Sequence, residues 1–278
     1  MLKQRVITGI VLALIGIFLL FGTGPFFPFF LWVIFGVMGV EWVAMRQQRL
    51  GKSGEFIHVT PYQYDNFVRC CVVGAFIFLT ALFFFLPGFS IKLGAIFWLF
   101  ALVSLFFSQD SVRFLVLPWP YQIIGLVILT SAWIAAVRLH ELSPWLLLYA
   151  IFVIAASDIA AYFVGRKWGK HFLAPEISPK KTWEGAFGGL IAGVVVSLIF
   201  MGFSRYFLHG FSISWLRWIL SGVLLGVFGI VGDLFESRIK RLVNVKDSGK
   251  ILPGHGGLWD RFDSHVAGFV VAAFVFLV

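Results

Sequence analysis

Charged and reactive residues are scarce in this sequence. Only two cysteines occur in 278 residues, Cys70 and Cys71, and adjacent cysteines cannot bridge each other without distortion. Neither belongs to a metal-ligand spacing, so both read as packing residues, and disulfide frameworks and thiol–metal sites are excluded. Charged residues make up 13% of the chain, with 13 acids against 22 Lys and Arg. With 60% hydrophobic residues, 34 Phe and 11 Trp, a water-soluble surface is excluded. The phosphate loop G-x-x-x-x-G-K-[ST] is absent, as is the kinase glycine loop, which argues against ATP-driven transport of the usual kind. No A-x-A-like cleavage site follows the opening MLKQR and its apolar run, so the first segment is expected to be a retained helix.

What is present is lipid-soluble chain. A helix needs about 20 apolar residues to cross the hydrocarbon. Candidate spans fall at 6–22, 27–45, 69–87, 91–107, 121–138, 144–165, 184–203, 215–235 and 263–278. The expectation is an all-α integral membrane protein, a polytopic bundle of about nine transmembrane helices. Lys and Arg are held on the cytoplasmic side of membranes. A cytoplasmic N-terminus puts eighteen basic residues inside, leaving only Lys92, Arg138, Arg205 and Arg217 outside. Residues 1–138 then form an N-terminal group of about five spans. Residues 139–278 form a catalytic region with cytoplasmic loops 166–183 and 236–262. A pI near 9.8 is compatible with nucleic acid, but no soluble basic domain exists to bind it; membrane lipid head groups or a soluble anion are the better partners.

The two loops are long and rich in Gly, Pro, Lys, Asp and His, and chemistry is sought there. In the first, Ser178 suits a helix N-cap and Pro179 the first helical position, with Lys180 and Lys181 in the first turn. Cations at the positive end of a helix are unfavourable unless an anion lies on them, which favours a phosphate site over simple topology. Gly185, Gly188 and Gly189 fit close helix packing. The second loop interleaves Arg238, Lys240, Arg241, Lys246, Lys250 and Arg261 with Asp247, Asp260, Asp263 and His255. That mixture suits a metal–nucleotide complex: carboxylates hold Mg²⁺, and cations neutralise the phosphate oxygens the metal does not reach. Glycines such as Gly256 and Gly257 let backbone N–H groups approach the same anion. On a helix Ser237 would share a face with Lys240 and Arg241, and Asp260 with Asp263.

Carboxylates also lie inside spans, where each costs about 2.5 kcal/mol or more unless it faces a cavity or a cation. Asp233, one turn before Ser237, is the first choice for a metal ligand over an ion pair with a loop lysine. Asp158, at matching depth, stays open between the two. Glu41 reads as a helix-packing or interfacial acid. His255 is open between substrate contact and a backbone hydrogen bond. His58, His140, His171, His209 and His265 form no zinc pattern. The unaided reading is a membrane enzyme that binds Mg²⁺ and a polyphosphate and takes a second substrate from the bilayer. A transporter with Asp158 and Asp233 as proton relay is the rival, but it has no use for the cationic loop.

The run Ser237-x-x-Lys240-Arg241-x-x-x-x-Lys246-Asp247-x-x-x-x-x-Pro253-Gly254-His255-Gly256-Gly257-x-x-Asp260-Arg261-x-Asp263 resembles the signature of the phosphatidate cytidylyltransferase (CDP-diacylglycerol synthase) family. Ser157-Asp158-x-x-Ala161-Tyr162-x-x-Gly165-Arg166 and Ser178-Pro179-Lys180-Lys181-Thr182-x-Glu184-Gly185 resemble it too, so the likeness covers at least the C-terminal half. The resemblance implies transfer of CMP from CTP to phosphatidic acid, with Mg²⁺ and a monovalent cation such as K⁺, by a homodimer in a bacterial inner membrane. The reading of the residues fits that reaction, with Asp233, Asp260 and Asp263 expected at the metal and Ser237, Lys240, Arg241, Lys246, Asp247, His255 and Arg261 in the catalytic machinery. Ser178, Lys180, Lys181, Gly256 and Gly257 are implied at substrate. A CTP-dependent polyprenol or dolichol kinase-like activity is the alternative within enzymes.

Overall fold

The computed structural model describes residues 16–22, 24–52, 62–207, 213–249, 251 and 256–278. Eight long helices run through these residues: α1 (Phe26–Lys52), α2 (Tyr62–Phe84), α3 (Pro87–Ser104), α4 (Pro118–Leu142), α5 (Pro144–Trp168), α6 (Trp183–Phe207), α7 (Trp215–Leu242) and α8 (Trp259–Leu277). Six of them are long and apolar enough to cross a membrane, and Val68–Phe84 within α2 is a shorter apolar helix. The chain is an all-α polytopic membrane protein. Its first expected span, 6–22, lies mostly outside the described residues, although 16–20 are helical.

Local chemistry sets the breaks. Proline opens α3, α4 and α5 at the first helical positions, where its missing N–H is unneeded and its fixed φ suits the helix. Ser143 caps α5 by accepting the Trp145 N–H, and Ser214 caps α7 by accepting that of Arg217, both at 3.3 Å.

α4 and α8 form the centre of the bundle, with Ile128, Ala132, Ala135, Val266, Val270 and Ala273 fully or nearly fully buried. α5, α6 and α7 pack beside them. On α6 the residues at every fourth position divide the helix lengthwise. Phe187, Ile191, Val195, Ile199 and Phe203 are exposed, an apolar stripe that only lipid can solvate. Gly185, Gly189, Gly193 and Ser197 form the opposite stripe and let backbones meet: a Cβ on Gly189 would lie 2.8 Å from the Ser157 carbonyl oxygen, and one on Gly193 3.0 Å from that of Gly222.

Two expected boundaries are wrong. α7 continues past 235 to Leu242, and α8 begins at Trp259, so the second loop is shorter than 236–262. Charge does not end α7 because its charges find partners. Lys240 pairs with Glu236 one turn back at 2.5 Å, and Arg238, 2% exposed, donates to the carbonyls of Ser104, Leu105 and Phe107 at the end of α3.

The other correction concerns Ser178. It is no helix cap; Ser178–Thr182 is strand β2, paired antiparallel with β1 (Phe172–Ala174). The helix start is Thr182, whose Oγ1 accepts the Gly185 N–H at 3.2 Å, and the acid of the first turn is Glu184. Lys180 and Lys181 precede the helix, so the dipole anomaly that suggested an anion there does not exist.

Candidate active site

A cavity of about 850 Å³ opens where the C-terminal ends of α5 and α7 meet the hairpin and the first turns of α6 and α8. Its walls bring together Asp158 and Arg166 of α5, Lys180 and Lys181 of β2, Asp233 of α7, and Asp260, Arg261 and Asp263 of α8. Four carboxylates and four cations therefore face one space, from segments far apart in sequence. Ala161, Phe172, Leu173, Ala186 and Ile230 give the same cavity an apolar side.

An ion pair joins the hairpin to α7: Lys181 Nζ lies 2.6 Å from Asp233 Oδ2. Ser237 Oγ donates to the other oxygen of Asp233 at 3.3 Å. Ser237 thus belongs with Asp233, while Lys240 belongs with Glu236 and Asp260, and the three-residue face expected of Ser237, Lys240 and Arg241 does not act as a unit. Lys240 Nζ is 2.8 Å from Asp260 Oδ1. Asp260 Oδ2 accepts the Gly257 N–H at 2.8 Å, the Ser248 N–H at 3.0 Å and the Ser248 hydroxyl at 3.0 Å. One oxygen of Asp260 meets a cation, and the other ties two ends of the signature loop together. Gly256, at φ +85°, makes the turn beside it; a Cβ there would come 2.6 Å from Asp260 Oδ2.

Of the expected site residues, Ser178, Lys180, Lys181, Asp233, Asp260, Arg261 and Asp263 line the cavity, and Asp158 joins them. Arg241, Lys246 and Asp247 are exposed and do not line it. Lys240 is buried within its ion pairs, and Arg238, counted among the loop cations from sequence, caps α3. His255 lies outside the described residues. Among the described residues no three His, Cys, Asp or Glu side chains converge as a ready-made metal cage. Glu236 and Ser248 went unrecognised in the sequence: the i,i+4 spacing of Glu236 and Lys240 was a local signal once the helix was known to run on to Leu242, whereas the role of Ser248 depends on Asp260, twelve residues on. Glu184 holds the hairpin base, accepting the Lys170 and His171 N–H groups at 3.1 and 3.3 Å and bonding the His171 ring at 2.6 Å.

A model of the family described as "Cytidylyltransferase family" matches residues 3–278. The chain is 36% identical to a phosphatidate cytidylyltransferase of Pseudomonas aeruginosa over 281 residues, covering 98% of the chain and 96% of that protein. It is 34% identical to a phosphatidate cytidylyltransferase of Bacillus subtilis over 284 residues, covering 100% of the chain and 97% of the relative. The phosphatidate cytidylyltransferase of Staphylococcus haemolyticus is 49% identical over 118 residues, 42% of the chain.

Proposed function

The chain belongs to the cytidylyltransferase family, and from that premise we propose how its cavity makes CDP-diacylglycerol and pyrophosphate from CTP and phosphatidic acid. An oxygen of the lipid phosphate attacks the α-phosphorus of CTP, the bond from that phosphorus to the bridging oxygen breaks, and pyrophosphate leaves in line with the attack. The protein's task is to place two anions against each other, so the cations do much of the work. Lys180, Lys181, Arg166 and Arg261 surround the phosphates. The apolar wall of Phe172, Leu173 and Ile230 suits the glycerol and upper acyl chains of the lipid. Ser178, Gly256 and Gly257 remain assigned to substrate, and Lys240, Arg241, Lys246, Asp247 and His255 to the machinery around the nucleotide.

Mg²⁺ fits the donor set. Asp233 and Asp260 each carry a lysine ammonium, at 2.6 and 2.8 Å, where a cation is evidently welcome. Asp233, Asp260 and Asp263 would hold the ion, which supplies charge stabilisation at the phosphoryl oxygens. With such an ion on Asp233, Lys181 would be available to hold a phosphate oxygen. A monovalent cation such as K⁺ is the further cofactor proposed.

The observation that carries this reading is the Lys181–Asp233 pair, which ties the hairpin to α7 within the one cavity that Asp260, Arg261 and Asp263 of the signature also line. The test is CTP labelled at the α-phosphate, whose label is expected in lipid only when phosphatidic acid is supplied. Label entering lipid from the γ position would replace this reaction with a CTP-dependent lipid kinase.

Nine crossings with the N-terminus and the cavity in the cytoplasm, in a bacterial inner membrane, complete the proposal. That count would take the six long apolar helices, the shorter Val68–Phe84, α8 and a first span that includes helical residues 16–20. A homodimer is expected, to be checked by the mass of the detergent-solubilised enzyme.

A further inference from the structure

α1 belongs to the half of the chain in which the sequence offers no chemistry, yet it reaches the signature. Glu41 is 3% exposed. Its Oε1 accepts the Leu258 N–H and its Oε2 the Trp259 N–H, both at 3.1 Å. The opening N–H groups of a helix have no partners within it, and the residue at this N-cap, Leu258, offers no side-chain hydrogen bond. A carboxylate from α1 therefore caps α8, with two donors satisfied and its charge at the positive end of the helix.

The same carboxylate lies under the loop. A Cβ on Gly249 or Gly257 would come 2.6 or 2.8 Å from Glu41 Oε1. Glycine at both positions permits the approach. Around it, the Trp259 indole N–H donates to the Met38 carbonyl at 2.6 Å, and the Trp259 ring packs 4.9 Å from that of Trp42. From the opposite side Asp260 Oδ2 ties Ser248 to Gly257. The two ends of the loop are thus held between two carboxylates, one from α1 and one from α8.

We propose that Glu41 is a positioning residue for the reaction. It fixes the first turn of α8, and with it the placement of Asp260, Arg261 and Asp263 against Asp233 across the cavity. It touches no substrate, and its effect passes through the two N–H groups it accepts. The inference rests on the reading that Asp233, Asp260 and Asp263 form the reacting site.

Glu41→Gln keeps the shape but sets an amide NH₂ against one of the two N–H donors. An error of about 1 Å in placing reacting groups costs on the order of 100-fold, so kcat is expected to fall roughly 10- to 100-fold. The Mg²⁺ concentration for half activity should rise, and amide exchange across 256–262 should quicken in protein that stays monodisperse in detergent. Glu41→Ala should do the same more strongly. Wild-type kcat and Mg²⁺ dependence per folded molecule in both variants overturns the proposal, whatever the yield, since that is the behaviour of an acid serving the fold alone. Loss of both variants from the membrane overturns it equally. Asp263→Asn is assayed in parallel: wild-type behaviour there defeats the reading of the site itself, whereas an impaired Asp263→Asn beside normal Glu41 variants defeats only the role given to Glu41.

Discussion

Lys181 holds two commitments in turn, and its substitution separates them. Its ammonium neutralises Asp233 at 2.6 Å, and in the proposed reaction it would hold a phosphate oxygen. Under that proposal Lys181→Ala would remove a phosphate ligand and also the metal's competitor for Asp233. Taking away one preorganised charge from a developing anion costs roughly 100- to 1000-fold in rate. A loss of kcat/KM on the order of 100-fold is therefore expected in steady-state assays, while the Mg²⁺ concentration for half activity stays level or falls. A raised Mg²⁺ requirement with unchanged kcat and KM would show that the lysine serves only to hold the hairpin. Both partners stood out in the sequence: Asp233 as an acid inside a span, Lys181 as a cation in the first turn of an expected helix. The reason first given for Lys181 was wrong, because it assumed a helix start at Ser178. Glu41 was visible too as an intramembrane acid, but its partners lie 217 and 218 residues away. No local pattern encodes such a distance.

The same division holds for whole elements. Spans were legible because a lipid-facing helix must be apolar over a fixed length, and proline marked three of their starts. The hairpin and the ends of α7 and α8 were not, because a charged residue reads as loop until its buried partner is known. Arg238 is the clearest instance: it looks like a phosphate ligand and is engaged with three carbonyls of the α3 terminus. The close packing expected of Gly185, Gly188 and Gly189 is present, Gly193 extends it unforeseen, and its consequence is measurable. Gly189→Ala places a Cβ 2.8 Å from the Ser157 carbonyl oxygen, so the helices must part, at a cost of about 1–3 kcal/mol. Gly74→Ala, with nothing within 4 Å of the new Cβ, should be neutral or slightly stabilising, as alanine favours helix over glycine. Thermal unfolding in detergent should lower the midpoint for the first variant only. Equal midpoints would mean that the contact between α5 and α6 has slack.

At the scale of the molecule, the bundle has two unlike ends. One gathers the hairpin, the cavity and the basic residues around them. At the other, Arg138 is paired with Glu141 at 2.7 Å and donates to the Phe84 carbonyl at 2.5 Å, so its charge is answered locally. Basic residues are retained on the cytoplasmic side during insertion, and CTP is a polyanion that cannot cross a bilayer unaided. Both requirements favour the proposed placement of the cavity in the cytoplasm. Lys180 is suited to report this, since it is exposed and lines the cavity. Cys70 and Cys71 are also exposed, so the background must first carry Cys70→Ala and Cys71→Ala. In that background Lys180→Cys should react with a membrane-impermeant maleimide in inside-out vesicles and not in intact cells, and CTP with Mg²⁺ should slow the reaction. Labelling of intact cells would reverse the orientation. Labelling from the cytoplasm without protection would keep the orientation and remove Lys180 from the nucleotide side of the cavity, leaving it to the lipid phosphate.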